Sequence, residues 1–69
     1  MNNYEIIVYW KNEDNIFIAE VPELAGCMAD GQTYIDAVKN VEIVIEEWIE
    51  TAQLNGRPIP VARGKLVYA

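Results

Sequence analysis

The alternation of apolar and polar residues at the start of the chain predicts a β-hairpin and a third short strand. Tyr4–Trp10 is dense in β-branched and aromatic residues, which favour strands, and a polar turn separates it from a second strand at Ile16–Val21. Pro22 and Gly26 then bend the chain, because proline fixes φ and glycine permits positive φ. A third strand follows at Cys27–Asp30, so we expect a three-stranded antiparallel sheet.

The spacing of apolar residues after the third strand predicts one long amphipathic helix. Thr33 provides the N-cap, because its hydroxyl can accept a hydrogen bond from the backbone N–H of Asp36. Asn55 and Gly56 end the helix, and the prolines that follow prevent its continuation. At about 100° per residue, the apolar side chains of the helix share one arc. They are Tyr34, Ala37, Val38, Val41, Val44, Ile45, Trp48, Ile49 and Ala52.

A final short strand is predicted at Lys65–Tyr68, which completes the order β-β-β-α-β. The fold class is therefore α+β, with the long helix laid on one face of the sheet. Repeats, linkers and low-complexity segments are absent from the sequence. Residues 1–69 are accordingly expected to form a single domain with no DNA-binding domain after it.

The sheet has a second face that one helix cannot cover, because side chains alternate between the two faces along a strand. If Phe17, Ala19 and Val21 face the helix, apolar side chains of the hairpin remain on the other side. They are Ile7, Tyr9, Ile16 and Ile18. This surplus favours association with another molecule, although a few scattered exposed apolar residues are normal.

Composition and charge narrow the class of partner. The 69 residues are 52% hydrophobic and 23% charged, which is typical of a globular chain. A core of this size is marginal, and lone Cys27 can form no internal disulfide, so a homodimer or a protein partner is expected to add buried area. The net charge of −6 argues against direct nucleic-acid binding and fits a basic partner, although it also serves solubility.

No catalytic constellation appears in the sequence. The chain has no His and no Ser, so Cys27 lacks an activating base and is interpreted as a small core residue. One Cys cannot build a zinc site, and neither a cofactor nor enzyme activity is predicted. No basic leader and no apolar run of membrane-spanning length is visible, and together with the lone Cys this favours the cytoplasm.

Two kinds of residue are candidates for binding a partner. Glu42, Glu46 and Glu50 form an i, i+4 ladder, hereafter the acidic ladder, which is either a solvated face or a negative stripe for basic side chains. Trp10 ends its strand beside the turn and is a candidate anchor, because Trp is enriched at binding hot spots. The predicted partner-binding residues are Trp10, Tyr9, Ile18, Glu42, Glu46 and Glu50.

One continuous stretch, residues 19–33, resembles the hallmark segment of the HicB-type antitoxin family. It reads AEVPELAGCMADGQT, with Val21-Pro22 ending the second strand, Gly26-Cys27 after the bend, and Gly31 before the helix. The segments Glu47-Trp48-Ile49 and Gly56–Pro60 also look like the end of that family's helix and its exit. The resemblance spans nearly the whole chain.

This resemblance implies a truncated ribonuclease-H-like domain without activity, which neutralises a small basic RNA-cleaving toxin of the HicA type. Many members add a C-terminal DNA-binding domain, which is not expected in this chain. The alternative is an orphan homo-oligomeric domain of the same fold that has no toxin, with or without a small ligand. A ribonuclease-H-like hydrolase would need carboxylates converging on metal ions, and the sequence does not show whether Glu5, Glu20 and Asp30 converge.

Overall fold

Three strands and one helix follow one another along the chain in the computed structural model, which describes residues 3–63. The predicted α+β class, with its three-stranded antiparallel sheet and one long helix, is confirmed. The predicted fourth strand at Lys65–Tyr68 lies outside the described residues. The elements are β1 (Ile7–Lys11), β2 (Ile16–Glu20), β3 (Met28–Gly31) and α1 (Tyr34–Leu54).

The strands pair in the order β1-β2-β3, and one face of the sheet carries the core. Val8 lies opposite Ala19, which lies opposite Ala29, and opposed residues share a face. Ala19 is fully buried against the helix, so this is the helix face, as the alternation along β2 predicts. The buried cluster between the layers consists of Ala19, Val21, Leu24, Cys27, Ala37, Val41 and Ile45.

The first strand begins at Ile7, three residues later than the sequence predicts. Ile7 pairs with Glu20, the last residue of β2, so Tyr4–Ile6 runs past the end of its neighbouring strand. The segment still packs on the core, and the Tyr4 hydroxyl donates a hydrogen bond to the carbonyl of Pro60. Tyr4 and Ile6 are therefore residues that pack on the core without pairing with β2.

A tight loop joins β2 to β3 and moves the predicted strand ends there by one residue. The Val21 N–H donates to the Cys27 carbonyl at 3.0 Å, which closes the loop. Inside it, the Leu24 N–H donates to Val21 and the Cys27 N–H donates to Leu24, at 3.1 and 3.0 Å. Gly26 has φ +74°, a conformation that glycine adopts readily.

Both ends of the helix are capped as the sequence predicts. Thr33 is extended, and its Oγ1 accepts a hydrogen bond of 3.1 Å from the Asp36 N–H. At the other end Gly56 has φ +66° and donates to the carbonyl of Gln53, while the Arg57 N–H donates to Ala52. These two bonds form a Schellman motif, which satisfies carbonyls at the helix end.

The Thr33 cap gives a first prediction. Thr33→Ala is expected to lower the free energy of unfolding by about 0.5–2 kcal/mol, because the Asp36 N–H loses its acceptor. Thr33→Ser keeps the acceptor and is expected to stay close to the parent protein. Urea denaturation followed by circular dichroism measures both, and an unchanged midpoint for the Ala variant would contradict the capping role.

The helix lies closest to β3, and two contacts define how close. A Cβ atom added to Gly31 would stand 2.3 Å from the backbone nitrogen of Ala37 and 2.7 Å from the carbonyl carbon of Asp36. Farther along, the side-chain amide of Asn40 donates a 2.8 Å hydrogen bond to the carbonyl of Asp30. The first turns of the helix are thus held directly against the third strand.

Candidate protein-binding surfaces

The side of the sheet away from the helix carries an apolar surface, hereafter the open face. Tyr9 lies opposite Ile18, and Glu20 lies between Ile7 on one side and Met28 on the other. Tyr9 and Met28 are 41% and 51% exposed. The open face consists of Ile7, Tyr9, Ile16, Ile18 and Met28 with the charged residues Lys11, Glu20 and Asp30.

The predicted surplus of apolar residues on this face is thus found where the alternation along β1 and β2 places it. Met28 was not among the predicted members. The register between β2 and β3 brings it beside Glu20, and that register is not a local property of the sequence.

The charge of the open face is negative. The Tyr9 hydroxyl donates a 2.8 Å hydrogen bond to Oε1 of Glu20, and this bond, with a smaller effect of burial, raises the pKa of Tyr9. Lys11 forms a 3.1 Å ion pair with Asp14, whose hydrogen bond raises the pKa of the Lys11 ammonium. Since Asp14 already balances Lys11, the carboxylates of Glu20 and Asp30 set the sign of the face.

Trp10 lies on the opposite side of the sheet from Tyr9 and Ile18. Its ring meets Phe17 edge to face with 5.0 Å between centroids, and Phe17 in turn meets Tyr34 at 5.8 Å. Trp10 is still 47% exposed, because it lies at the end of this aromatic row beside the hairpin turn. It is therefore an exposed aromatic residue at the rim of the helix face and not a member of the open face.

The acidic ladder lies in the helix layer, so the sheet separates it from the open face. Glu42, Glu46 and Glu50 are all exposed. Glu42 and Glu46 also line a groove of about 560 Å³ between the helix and the segment before β1, next to Tyr4. The six predicted partner-binding residues thus occupy three places: Tyr9 and Ile18 on the open face, Trp10 at the hairpin end, and the ladder on the helix.

The motif residues between β2 and the helix support the fold rather than form a reactive site. Cys27 is 3% exposed, and burial raises the pKa of its thiol, so the thiolate that would react is disfavoured. Trp48, half-buried on the helix, donates its indole N–H to the Ala25 carbonyl at 3.0 Å. This hydrogen bond ties the loop between β2 and β3 to the helix.

The described range 3–63 contains neither a metal-binding cluster nor a membrane-spanning helix. Within it, no three acidic or thiol side chains lie close enough together to hold a metal ion. Over the same residues, no helix is both long and apolar enough to cross a bilayer.

A helix on a three-stranded antiparallel sheet, with an acidic apolar surface on the uncovered side, defines a small two-layer α+β protein. A family model described as UPF0150-like matches residues 4–60, and the chain belongs to this family. The UPF0150 protein ssl0259 of Synechocystis sp. is 40% identical over 58 residues, 84% of this chain and 78% of its own. The UPF0150 protein Ta0767 of Thermoplasma acidophilum is 32% identical over 54 residues, 78% of each chain. No solved structure matches significantly.

Proposed function

We propose that this chain is a HicB-like antitoxin module that binds and neutralises a small basic RNA-cleaving protein of the HicA type. The open face carries the proposal, since it combines an uncovered apolar surface with Glu20 and Asp30 in a chain of net charge −6. The resemblance of residues 19–33 to the HicB hallmark supports it. Such an inhibitor works in the cytoplasm, where messenger RNA is the target of the toxin.

Neutralisation needs only binding. A nuclease holds RNA through basic side chains that meet phosphates, and an acidic protein surface competes for those side chains. Complementary charge raises the association rate, whereas burial of apolar anchors mainly slows dissociation. In this proposal the chain contributes a surface and no catalytic group.

Co-expression tests the proposal. The basic protein encoded beside this gene should co-purify with the chain, and its cleavage of RNA should fall to zero at a defined molar ratio. The chain alone should leave RNA and RNA–DNA hybrids intact with magnesium or manganese. A neighbour that cleaves RNA at the same rate in a large excess of the chain would refute the antitoxin function.

The small core of this 69-residue chain, which would gain buried area by association, also supports the second candidate, an orphan homo-oligomeric domain. A homodimer or larger oligomer is proposed in either case, so light scattering at micromolar concentration should give at least twice the 7.8 kDa of the chain. A monomer with a cooperative unfolding transition would exclude it. The orphan domain differs by having no basic partner, and the co-expression experiment therefore separates the two candidates.

The acidic ladder gives a kinetic prediction. Replacing Glu42, Glu46 and Glu50 together by Gln removes three charges from the helix layer and keeps the side-chain shape. The association rate with the basic neighbour should fall and lose part of its salt dependence, while the dissociation rate changes little. The helix should become more stable by about 0.2–0.5 kcal/mol per like-charge pair removed. Identical association rates across a salt series would show that the ladder is only a solvated face.

Trp10 remains a proposed second anchor for a partner that extends around the hairpin end. Trp10→Ala is then expected to raise the dissociation rate, because desolvated Trp anchors often contribute about 2 kcal/mol or more.

A further inference from the structure

We infer that the basic partner docks on the open face rather than on the acidic ladder, with one of its Arg or Lys side chains held between Glu20 and Asp30. The inference rests on the proposed function for the identity of that partner. The location itself follows from the geometry of the sheet.

The two carboxylates flank one apolar residue at the centre of the face. Asp30 lies directly opposite Ile18, and Glu20 is two residues along from Ile18 on the same side of β2. Residues related by this diagonal across neighbouring strands are about 7–8 Å apart, within reach of one long side chain. A cation above Ile18 would therefore meet both carboxylates at once.

Glu20 is held in place for this contact. The Tyr9 hydroxyl donates a 2.8 Å hydrogen bond to Oε1 of Glu20, which restricts the motion of that carboxylate. A carboxylate accepts several hydrogen bonds, so Oε2 can take a further donor from a guanidinium or ammonium group. The ladder carboxylates, by contrast, are exposed on a helix surface.

An apolar groove continues from this point around the edge of β3. Its volume is about 430 Å³, and Ile18, Met28 and Asp30 line it together with Asn40 and Val44. Lys and Arg bury their aliphatic stems on apolar surface while the charged end meets polar groups. The groove therefore suits the stem of the same side chain whose charge lies between the two carboxylates.

A second copy of this chain fits the open face less well. In a twofold interface the same patch meets itself, so the two copies would bring four carboxylates, Glu20 and Asp30 of each, into one interface. Lys11, the basic residue of the face, is already paired with Asp14. Like charges brought together at an interface are strongly unfavourable, so charge complementarity selects a basic partner.

The first test maps the surface with a defined probe, a hexapeptide of alternating Arg and Trp, titrated into the ¹⁵N-labelled chain. The largest changes in chemical shift are expected at the amides of Ile18, Glu20 and Asp30. Changes centred on the ladder amides would overturn it. Concentration-dependent shifts of the open face without peptide would also overturn it, because a second copy would then cover that face.

The second test uses the basic neighbour and two matched double variants. Glu20→Gln with Asp30→Asn should raise the dissociation rate tenfold or more, as expected when charged hydrogen bonds are lost. Glu46→Gln with Glu50→Gln removes the same charge from the helix and should change the dissociation rate less than about twofold. If the two double variants raised the dissociation rate equally, the inference would be overturned while the proposed function stayed intact. Failure of the neighbour to bind, with the peptide still on the open face, would refute the function and keep the docking surface.

Discussion

Gly31→Ala is expected to destabilise the chain by about 3 kcal/mol or more. The new methyl group would lie 2.3 Å from the backbone nitrogen of Ala37, so the first turn of the helix would have to move off β3. Overpacked cores usually lose about 1–3 kcal/mol, and here the obstructing atoms belong to backbone that cannot rotate away. Small domains are stable by only about 5–15 kcal/mol, so urea denaturation should show a large fall in the midpoint.

Gly56→Ala is the matched control. Gly56 has φ +66°, and nothing lies within 4 Å of an added Cβ, so only backbone strain of about 1–2 kcal/mol is expected. If Gly31→Ala costs no more than this control, the helix does not approach β3 as closely as described.

The second large effect is expected at the centre of the helix. Ile45 is fully buried between the helix and the sheet, and Ile45→Ala should cost about 2–5 kcal/mol through lost contacts and the cavity that remains. Ile43, two residues earlier and 57% exposed, makes the same chemical change testable outside the core. Ile43→Ala should stay within about 0.5 kcal/mol. Comparable losses at both positions would mean that the helix presents a different side to the sheet.

The helix could be predicted from the sequence because its signals are local. The Thr33 cap, the Gly56 stop and the apolar arc each depend on residues a few positions apart. Tyr34 is the exception within the arc, because it is 53% exposed. It occupies the first turn, where its ring meets Phe17 edge to face.

The open face could be predicted only in part, because strand register depends on distant residues. Alternation along β1 and along β2 left Tyr9 and Ile18 on the uncovered side if Phe17 and its alternate neighbours faced the helix, and the structure pairs the two residues. Met28 and the position of Asp30 beside Ile18 required the pairing of β2 with β3. The exposure of the acidic ladder could also be predicted, because its three residues lie off the apolar arc of the helix. Its separation from the open face could not, because that separation arises only when the helix packs across the sheet.

The Asn40–Asp30 hydrogen bond affects how readily the chain can aggregate by strand addition at high concentration. In the described part of the sheet β3 is an edge strand, and exposed edges are templates on which further strands add without limit. Val21 and Cys27 form a backbone hydrogen bond between β2 and β3, and in an antiparallel pair such hydrogen-bonded positions alternate with positions whose backbone groups point away from the partner strand. Asp30 is one of the latter, so its N–H and carbonyl point outward from the sheet edge. The side-chain amide of Asn40 already donates to that carbonyl. A strand that paired with Asp30 would have to displace that amide first, so a single helical side chain hinders strand addition at this point of the edge.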